Sequence, residues 1–483
     1  MRRAKVVKLQ RPILVGGLGL SFSLWFLQSW HDSVGQLGEL SLLSLIAVGG
    51  GLWLLKYKRA KAGNDPLDSI PTSREIVEEA IAKSETVISF LAQEAENHPS
   101  LADLRAQAQD LYSQLDRENI NVAVTGGKSV GKTTLIQTLQ PHFPHSQFQE
   151  TSPLLQEVNQ DTQSLIDANQ ADFVLFLTNG DLTDSEYQAL HQVKATSQRA
   201  MLVFNKQDQY LPEERASIFL SLQQRFPQTV ATAASPLPIK VRKHGEDGSI
   251  QEWMEQPVPD TQQIIQQLGG IISNQGQQLV WATTQRQALL LQATAKEYLN
   301  GVRSDRATPV IEQYQWIAAA AAFANPLPAL DLLATAAING QMVVDLGHIY
   351  QQKFSLEQAK TVAGEMGSLM LKLGLVELST KAIGTVLKTN AITYVAGGVV
   401  EGVSAAYLTR LAGLSLIAYF QEQEIAVNSG STLNLDKLRQ TIQNVFQENQ
   451  KTAFIQTFVQ QGVKRLLPET TDAKLITAEN AAV

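Results

Sequence analysis

The chain has 483 residues, with 46 acidic and 39 basic side chains and a formal net charge of −7. This balance produces no global attraction for polyanions, so no nucleic-acid partner is expected. The absence of cysteine excludes disulfides, thiol catalysis and cysteine-ligated metal centres. A chain of this length is expected to form two to three folded units, each with its own core.

Residues 1–60 carry two apolar stretches, 13–30 and 37–55, each close to the ~20 residues that a helix needs to cross a bilayer. Basic residues precede the first stretch and follow the second, whereas the link between them contains the acidic residues Asp32 and Glu39 but no Lys or Arg. The positive-inside rule therefore predicts a transmembrane helical hairpin with both chain ends in the cytoplasm, in a bacterial plasma membrane or a thylakoid-type membrane. A cleaved signal peptide and a buried hairpin of a soluble protein remain as alternatives.

Residues 61–118 are predicted to form a linker followed by a helical stalk. Glycine and proline punctuate residues 61–72, and two amphipathic helical patterns follow, separated by His98-Pro99-Ser100. The helices have two alternative uses, either packing on the next domain or acting as a spacer from the membrane.

A glycine-rich motif follows a short apolar run at residues 119–125 and directly precedes a helical pattern. Its residues are Gly126, Gly127, Lys128, Ser129, Val130, Gly131, Lys132, Thr133 and Thr134. This strand–loop–helix order is the context that a P-loop requires, because backbone N–H groups and a helix N-terminus then surround a phosphate. Lys132 is expected to reach the β- and γ-phosphates, and the Thr133 hydroxyl is expected to bind Mg²⁺.

A second motif, Asn205-Lys206-Gln207-Asp208, ends the apolar run at residues 201–204. A carboxylate at Asp208 can accept two hydrogen bonds from N1–H and N2–H₂ of guanine, and adenine offers no such pair. With the upstream strand at residues 172–177, the order and spacing of these motifs resemble those of Era-like small GTPases.

This resemblance implies an α/β P-loop GTPase domain over residues 119–260, with a mainly parallel sheet flanked by helices. It assigns Asn205, Lys206 and Asp208 to the guanine base. It also implies a base-contacting loop whose best match is Ala233 and Ala234, with a simple small-residue turn as the alternative.

The resemblance also implies an Asp-x-x-Gly switch between Thr133 and residue 172. The best match is Asp161, which is predicted to help hold Mg²⁺, after a strand-like run at residues 154–158. No glycine follows it, and none occurs between Gly131 and Gly180, which favours slow hydrolysis or a different switch. Thr151 is the candidate switch threonine.

Ser129 lies two residues before Gly131, which resembles the dynamin-type loop in which a serine helps hold a monovalent cation beside the phosphates. Lys128 is a candidate to supply positive charge itself. The alternative is an ordinary solvent-exposed lysine.

Residues 261–468 are predicted to be all-helical, and residues 469–483 to be disordered. Residues 314–420 resemble the YcjF-like domain of unknown function that follows Era-like GTPase domains. Its Gly- and Ala-rich helices have two alternative uses, as a soluble bundle or as interfacial and re-entrant helices that contact the bilayer.

The sequence therefore predicts a membrane-anchored protein that binds GTP and GDP with Mg²⁺, hydrolyses GTP and acts as a nucleotide-dependent switch. Lys132, Thr133 and Thr151 are the predicted catalytic residues. Its predicted partners are the bilayer, through residues 1–60, and a second copy or a membrane protein. The alternative is a non-hydrolysing GTP-binding scaffold; an ATP-driven transporter subunit is disfavoured by Asp208.

Overall fold

The structure is a computed structural model that describes residues 73–154, 170–195, 199–244, 250–324, 328–388, 398–422 and 434–467. The predicted membrane hairpin at residues 1–60, Asp161 and the predicted tail at residues 469–483 lie outside these ranges. The described chain divides into two compact units. The first comprises residues 118–279, and the second comprises residues 73–117 together with residues 280–467.

The first unit contains a five-stranded parallel sheet with the strand order β2-β1-β3-β4-β5. Its strands are β1 (Ile120–Gly126), β2 (Ser146–Glu150), β3 (Phe173–Thr178), β4 (Arg199–Phe204) and β5 (Thr229–Ala231). All six residues of β3 are buried, as expected for a continuous apolar run in a parallel sheet covered on both faces.

Among the described residues, helices α3 (Lys132–Leu139), α4 (Asp184–Ala195) and α5 (Pro212–Arg225) flank this sheet. The labels α1 and α2 belong to two helices of the second unit that precede the sheet in the chain. Val174 and Phe176 of β3 belong to a core that also includes Leu190 of α4 and Leu222 of α5. The predicted parallel sheet with flanking helices is thus confirmed. The carboxyl ends of β1, β3 and β4 meet at one edge, where ligands bind in open α/β sheets.

An antiparallel hairpin follows this sheet and was not predicted. It consists of β6 (Ile239–His244) and β7 (Ile250–Glu255), with Ile239 paired to Glu255. Every residue of β7 is exposed, and β6 contributes only one partly buried position. A two-stranded sheet without a covered face has no core of its own.

The second unit is entirely helical in its described residues, which confirms the predicted all-α C-terminal region. Its helices are α1 (Arg74–Glu94), α2 (Leu101–Gln114), the part of α6 (Gln262–Ala324) from residue 280 onward, α7 (Pro328–Ile349), α8 (Leu356–Lys372), α9 (Leu375–Lys388), α10 (Val399–Glu422), α11 (Leu435–Asn449) and α12 (Thr452–Leu466).

The predicted stalk helices pack within this unit. Leu91 of α1 and Leu104 of α2 share a buried core with Leu291 and Leu299 of α6. The indole N–H of Trp281 donates to the carbonyl of Leu115 at 3.2 Å. The two helices thus pack on the C-terminal helical unit, whereas the sequence had left open packing on the next domain or a role as a spacer.

Helix α10 is the centre of the remaining core, where Tyr407 is 1% exposed and lies edge-on to Phe458 of α12. Within the described ranges, α10 alone is long and apolar enough to span a bilayer, but 72% of its most apolar 18-residue stretch is buried inside the protein. A core helix passes the same test of length and composition, so α10 gives little support for a membrane span.

Candidate functional site at the edge of the parallel sheet

The loop of residues 126–133, here called the glycine loop, requires glycine at two positions. Gly126 has φ +139°, and a Cβ there would lie 2.3 Å from the carbonyl oxygen of Leu177. Gly131 has φ +94°, and a Cβ there would lie 2.4 Å from Nδ2 of Asn205. Both side-chain positions are occupied by neighbouring strands or their loops, so only glycine permits this close approach.

Lys132 begins helix α3 and bends back over the glycine loop. Its ammonium donates to the carbonyl oxygens of Gly126 at 3.2 Å and Gly127 at 3.0 Å, and the residue is only 4% exposed. Burial lowers the pKa of Lys132 from its ordinary value, and the carboxylate of Glu150 partly opposes this shift. A buried cation whose partners are two neutral carbonyls is well placed to meet an anion.

Thr133 contacts an acid that sequence reasoning missed. Its hydroxyl donates a 2.6 Å hydrogen bond to Oε2 of Glu150, the last residue of β2. β2 is the parallel neighbour of β1, with Glu150 in register with Val124. The carboxylate therefore lies beside the hydroxyl that was predicted to bind Mg²⁺, whereas Asp161 lies outside the described residues.

Thr151 is buried at the end of β2, with 3% of its surface exposed. Its N–H donates to the carbonyl of Val124 at 3.1 Å, and its hydroxyl donates to that of Thr125 at 3.0 Å. The structure therefore places this predicted switch threonine beside β1.

Asn205 connects the glycine loop to the loop of residues 232–237. Its Nδ2 donates to the carbonyl of Val130 at 2.9 Å. Its Oδ1 accepts from the Thr232 hydroxyl at 3.1 Å and from the N–H of Ala234 at 3.2 Å. Because Asn205 is buried, these bonds hold the two loops in one arrangement.

Lys206 adopts a left-handed conformation with φ +58°, and its ammonium donates to the carbonyl of Ser129 at 2.8 Å. Ser129 is itself left-handed, with φ +60°, and is exposed together with Lys128. The side chains of the Asn205–Lys206 pair therefore both bond to the backbone of the glycine loop.

The carboxylate of Asp208 has one oxygen with a hydrogen-bond donor and one without. Its Oδ2 accepts from the N–H of Leu237 at 2.9 Å. Its Oδ1 is buried and makes no hydrogen bond within the described part of the chain. A buried carboxylate oxygen without a donor costs free energy that a ligand N–H group can recover.

Gln207 and Ala233 connect this region to the residues that precede α6. Gln207 Nε2 donates to Oδ2 of Asp260 at 2.8 Å, and Ala233 and Asp260 exchange two backbone hydrogen bonds of 3.0 Å. The backbone around Ala233 and Ala234 is thus fixed on both sides.

The structure thus brings together the two predicted motifs and the 232–237 loop at the strand edge. The described residues contain no group of three or more His, Asp or Glu side chains that could hold a metal ion. Such a group is not needed for Mg²⁺, which in phosphate sites is held by one or two protein oxygens together with phosphates and water.

Comparison with known proteins bears on the helical unit. No curated protein matches this chain. Residues 286–451 match the family model described as "Domain of unknown function (DUF697)", a range that contains the predicted residues 314–420 and lies outside the parallel sheet. The C-terminal part of this chain therefore matches a domain family of unknown function, as the sequence predicted.

Proposed function

We propose that this protein binds GTP at the edge of its parallel sheet and hydrolyses it as a membrane-anchored, nucleotide-dependent switch. The observation that carries the proposal is the buried, unpaired Oδ1 of Asp208, on a motif whose Asn205 and Lys206 side chains bond directly to the glycine loop. An unpaired carboxylate oxygen next to a loop shaped for phosphates fits a ligand with N–H donors at one end and negative charge at the other.

The phosphate end is supported by Lys132 and the glycines that surround it. Its ammonium now bonds to two carbonyls of the loop, and a phosphate oxygen would provide a charged partner in their place. The N-terminus of α3 and the backbone N–H groups of residues 126–133 add partial positive charge.

Glu150 is proposed as an acid of the Mg²⁺ site, and Asp161, which lies outside the described residues, stays a prediction for the same site. The ion would displace the Thr133–Glu150 hydrogen bond, with the Thr133 oxygen bound to the metal and the Glu150 carboxylate binding it directly or through water. Magnesium would then neutralise charge on the β- and γ-phosphates. Ser129 and Lys128 are both exposed on the loop. Ser129 remains a candidate to help hold a monovalent cation beside the phosphates, and Lys128 remains a candidate to supply positive charge there itself.

The base end is supported by Asp208, whose unpaired Oδ1 would meet an N–H of guanine. The N–H groups of Ala233 and Ala234, which the sequence assigned to the base, already donate to Asp260 and to Asn205, so they do not add to this support. The membrane anchor is proposed from residues 1–60, and the helical unit is proposed as the YcjF-like effector region that follows an Era-like domain.

A non-hydrolysing scaffold is a second candidate, and one observation favours it. No glycine occurs between Gly131 and Gly180, so the chain lacks a glycine N–H at the position that senses the γ-phosphate in the resembled family.

Nucleotide binding tests the proposal directly. The full chain in detergent should bind a fluorescent GTP analogue with Mg²⁺, and unlabelled GTP should displace it at far lower concentration than ATP. Lys132→Ala should lose binding, whereas Lys194→Ala, at a half-buried position of α4 where the ammonium lies over the Phe226 ring, should retain it. Equal displacement by ATP would contradict guanine recognition, and phosphate release then separates a hydrolysing switch from a scaffold.

A further inference from the structure

We infer that the backbone N–H of Leu237 orients the Asp208 carboxylate and thereby determines how strongly the site prefers guanine. This inference rests on the proposed function and adds a positioning group to it. The hydrogen bond from Leu237 N to Asp208 Oδ2 is 2.9 Å long.

The Leu237 side chain does not explain this contact. It is 56% exposed, so little apolar surface is buried by it. The contribution of Leu237 to the site is therefore its peptide N–H, and its side chain can be changed without losing the bond.

The sequence around Leu237 presents this single donor rigidly. Pro236 and Pro238 flank it, and because proline has no N–H and a fixed φ, Leu237 provides the only backbone donor of the tripeptide. The carbonyl of Pro236 accepts a 2.6 Å hydrogen bond from Nε2 of Gln256, the residue that follows β7. The segment is thus fixed at the base of the β6–β7 hairpin.

The chemistry of guanine recognition explains why this matters. Guanine N1–H and N2–H₂ must each meet one oxygen of the same carboxylate, so the carboxylate plane has to be fixed. The terminal torsion of an aspartate is soft, with a broad distribution. Oδ2 keeps a second lone pair while it accepts from Leu237, and Oδ1 stays free for the base. A carboxylate that is already oriented loses less entropy when the base binds.

Leu237→Pro tests this inference, because proline has no backbone N–H. Leu237→Ala is the matched control that keeps the N–H. Displacement titrations should show that GTP affinity falls about tenfold in Leu237→Pro relative to Leu237→Ala, in the range of a hydrogen bond to a charged group. The affinity for ATP should stay unchanged. The affinity for inosine triphosphate, which lacks the 2-amino group, should fall less than the affinity for GTP.

A second variant removes the same N–H without adding a ring. The α-hydroxy analogue of leucine at position 237 replaces the peptide N–H by an ester oxygen, and it should reproduce the loss of guanine preference. Equal GTP-over-ATP preference in this variant and in Leu237→Ala would overturn the inference, as would an equal loss of GTP and ATP affinity. A wild-type protein that does not prefer GTP would overturn the proposed function as well, which distinguishes the two failures.

Discussion

The Thr133 hydroxyl donates to the Glu150 carboxylate across the edge of two parallel strands, at 2.6 Å. Thr133 lies in the first turn of α3, and Glu150 is the last residue of β2. The register of the sheet places Glu150 opposite Val124 of β1. An acid at the carboxyl end of the strand beside a glycine loop is positioned to meet a cation that also contacts the loop's threonine.

Glu150→Gln should weaken Mg²⁺-dependent GTP binding. The amide keeps the side-chain length but removes the negative charge, so we expect about a tenfold or larger loss of GTP affinity in Mg²⁺, as for loss of a charge-assisted contact. Affinity in EDTA should stay unchanged, because the metal contribution is then absent from both proteins. Glu213→Gln, an exposed glutamate on α5, serves as the control. Equal losses with and without Mg²⁺ would assign Glu150 a structural role.

The contrast between β3 and β2 shows what the sequence could predict. Residues 173–178 are a continuous apolar run, and such a run is recognisable as a buried strand. β2 reads Ser-Gln-Phe-Gln-Glu at the sheet edge, with Phe148 only half-buried, so it has no hydrophobic run. Glu150 was missed because its role depends on the pairing of β2 with β1, which connects distant parts of the chain.

The motifs themselves were predictable because their geometry is local. Gly126 and Gly131 occupy positions with positive φ, and the spacing between them shows in the sequence. The Asp208–Leu237 hydrogen bond joins residues that are 29 positions apart. Its donor is a backbone N–H, which no pattern of residue types in the sequence can indicate. Ile250 and Trp253 of β7 are exposed, so the sequence likewise had no pattern of buried apolar residues that would indicate the β6–β7 hairpin.

Lys132→Met should stabilise the nucleotide-free protein at neutral pH. Burial lowers the pKa of Lys132 from its ordinary 10.5, so the folded state binds its proton less tightly than the unfolded chain. Between the lowered pKa and 10.5 the unfolded state holds more protons, and stability therefore rises with pH. The cost of the buried charge is complete below the lowered pKa and disappears towards 10.5.

Thermal unfolding of both proteins from pH 7 to pH 10.5 measures this effect. The unfolding midpoint of Lys132→Met should exceed that of wild type by about 1–3 °C at pH 7. This is the shift that a small change in the free energy of unfolding produces in a domain of this size. The difference should shrink as the pH rises. Lys128→Met, in the same loop but exposed, should show no such trend. A constant Lys132→Met difference would contradict the buried-charge explanation.

Glu94→Gln should destabilise the helical unit. The Glu94 carboxylate accepts from Nη2 of Arg303 at 2.7 Å, and the two side chains are 12% and 4% exposed. It also accepts from Nε2 of Gln351 at 3.0 Å, which joins α1 to the segment after α7. Removing the charge leaves the buried Arg303 guanidinium without its counter-ion, which costs about 3–5 kcal/mol in comparable buried pairs.

Urea unfolding followed by circular dichroism tests this value. Glu357→Gln breaks an exposed pair with Lys360 and should change the free energy of unfolding by less than about 1 kcal/mol. In the double variant Glu94→Gln/Arg303→Met, most of the lost stability should return, because no unpaired charge remains buried. A double variant as unstable as the sum of the single changes would show that the two side chains act independently.

Gly413→Ala and Gly364→Ala should change stability in opposite directions, although both residues lie within helices of the same unit. A Cβ at Gly413 of α10 would lie 2.6 Å from Cγ1 of Ile311, a β-branched residue of α6 that is 1% exposed and has little room to move. Overpacking of this kind costs about 1–3 kcal/mol. At Gly364 of α8 nothing lies within 4 Å of the added methyl group, so alanine should stabilise the helix by about 0.5–1 kcal/mol. If Gly413→Ala proved as stable as Gly364→Ala, the close packing of α10 against α6 at Ile311 would be contradicted.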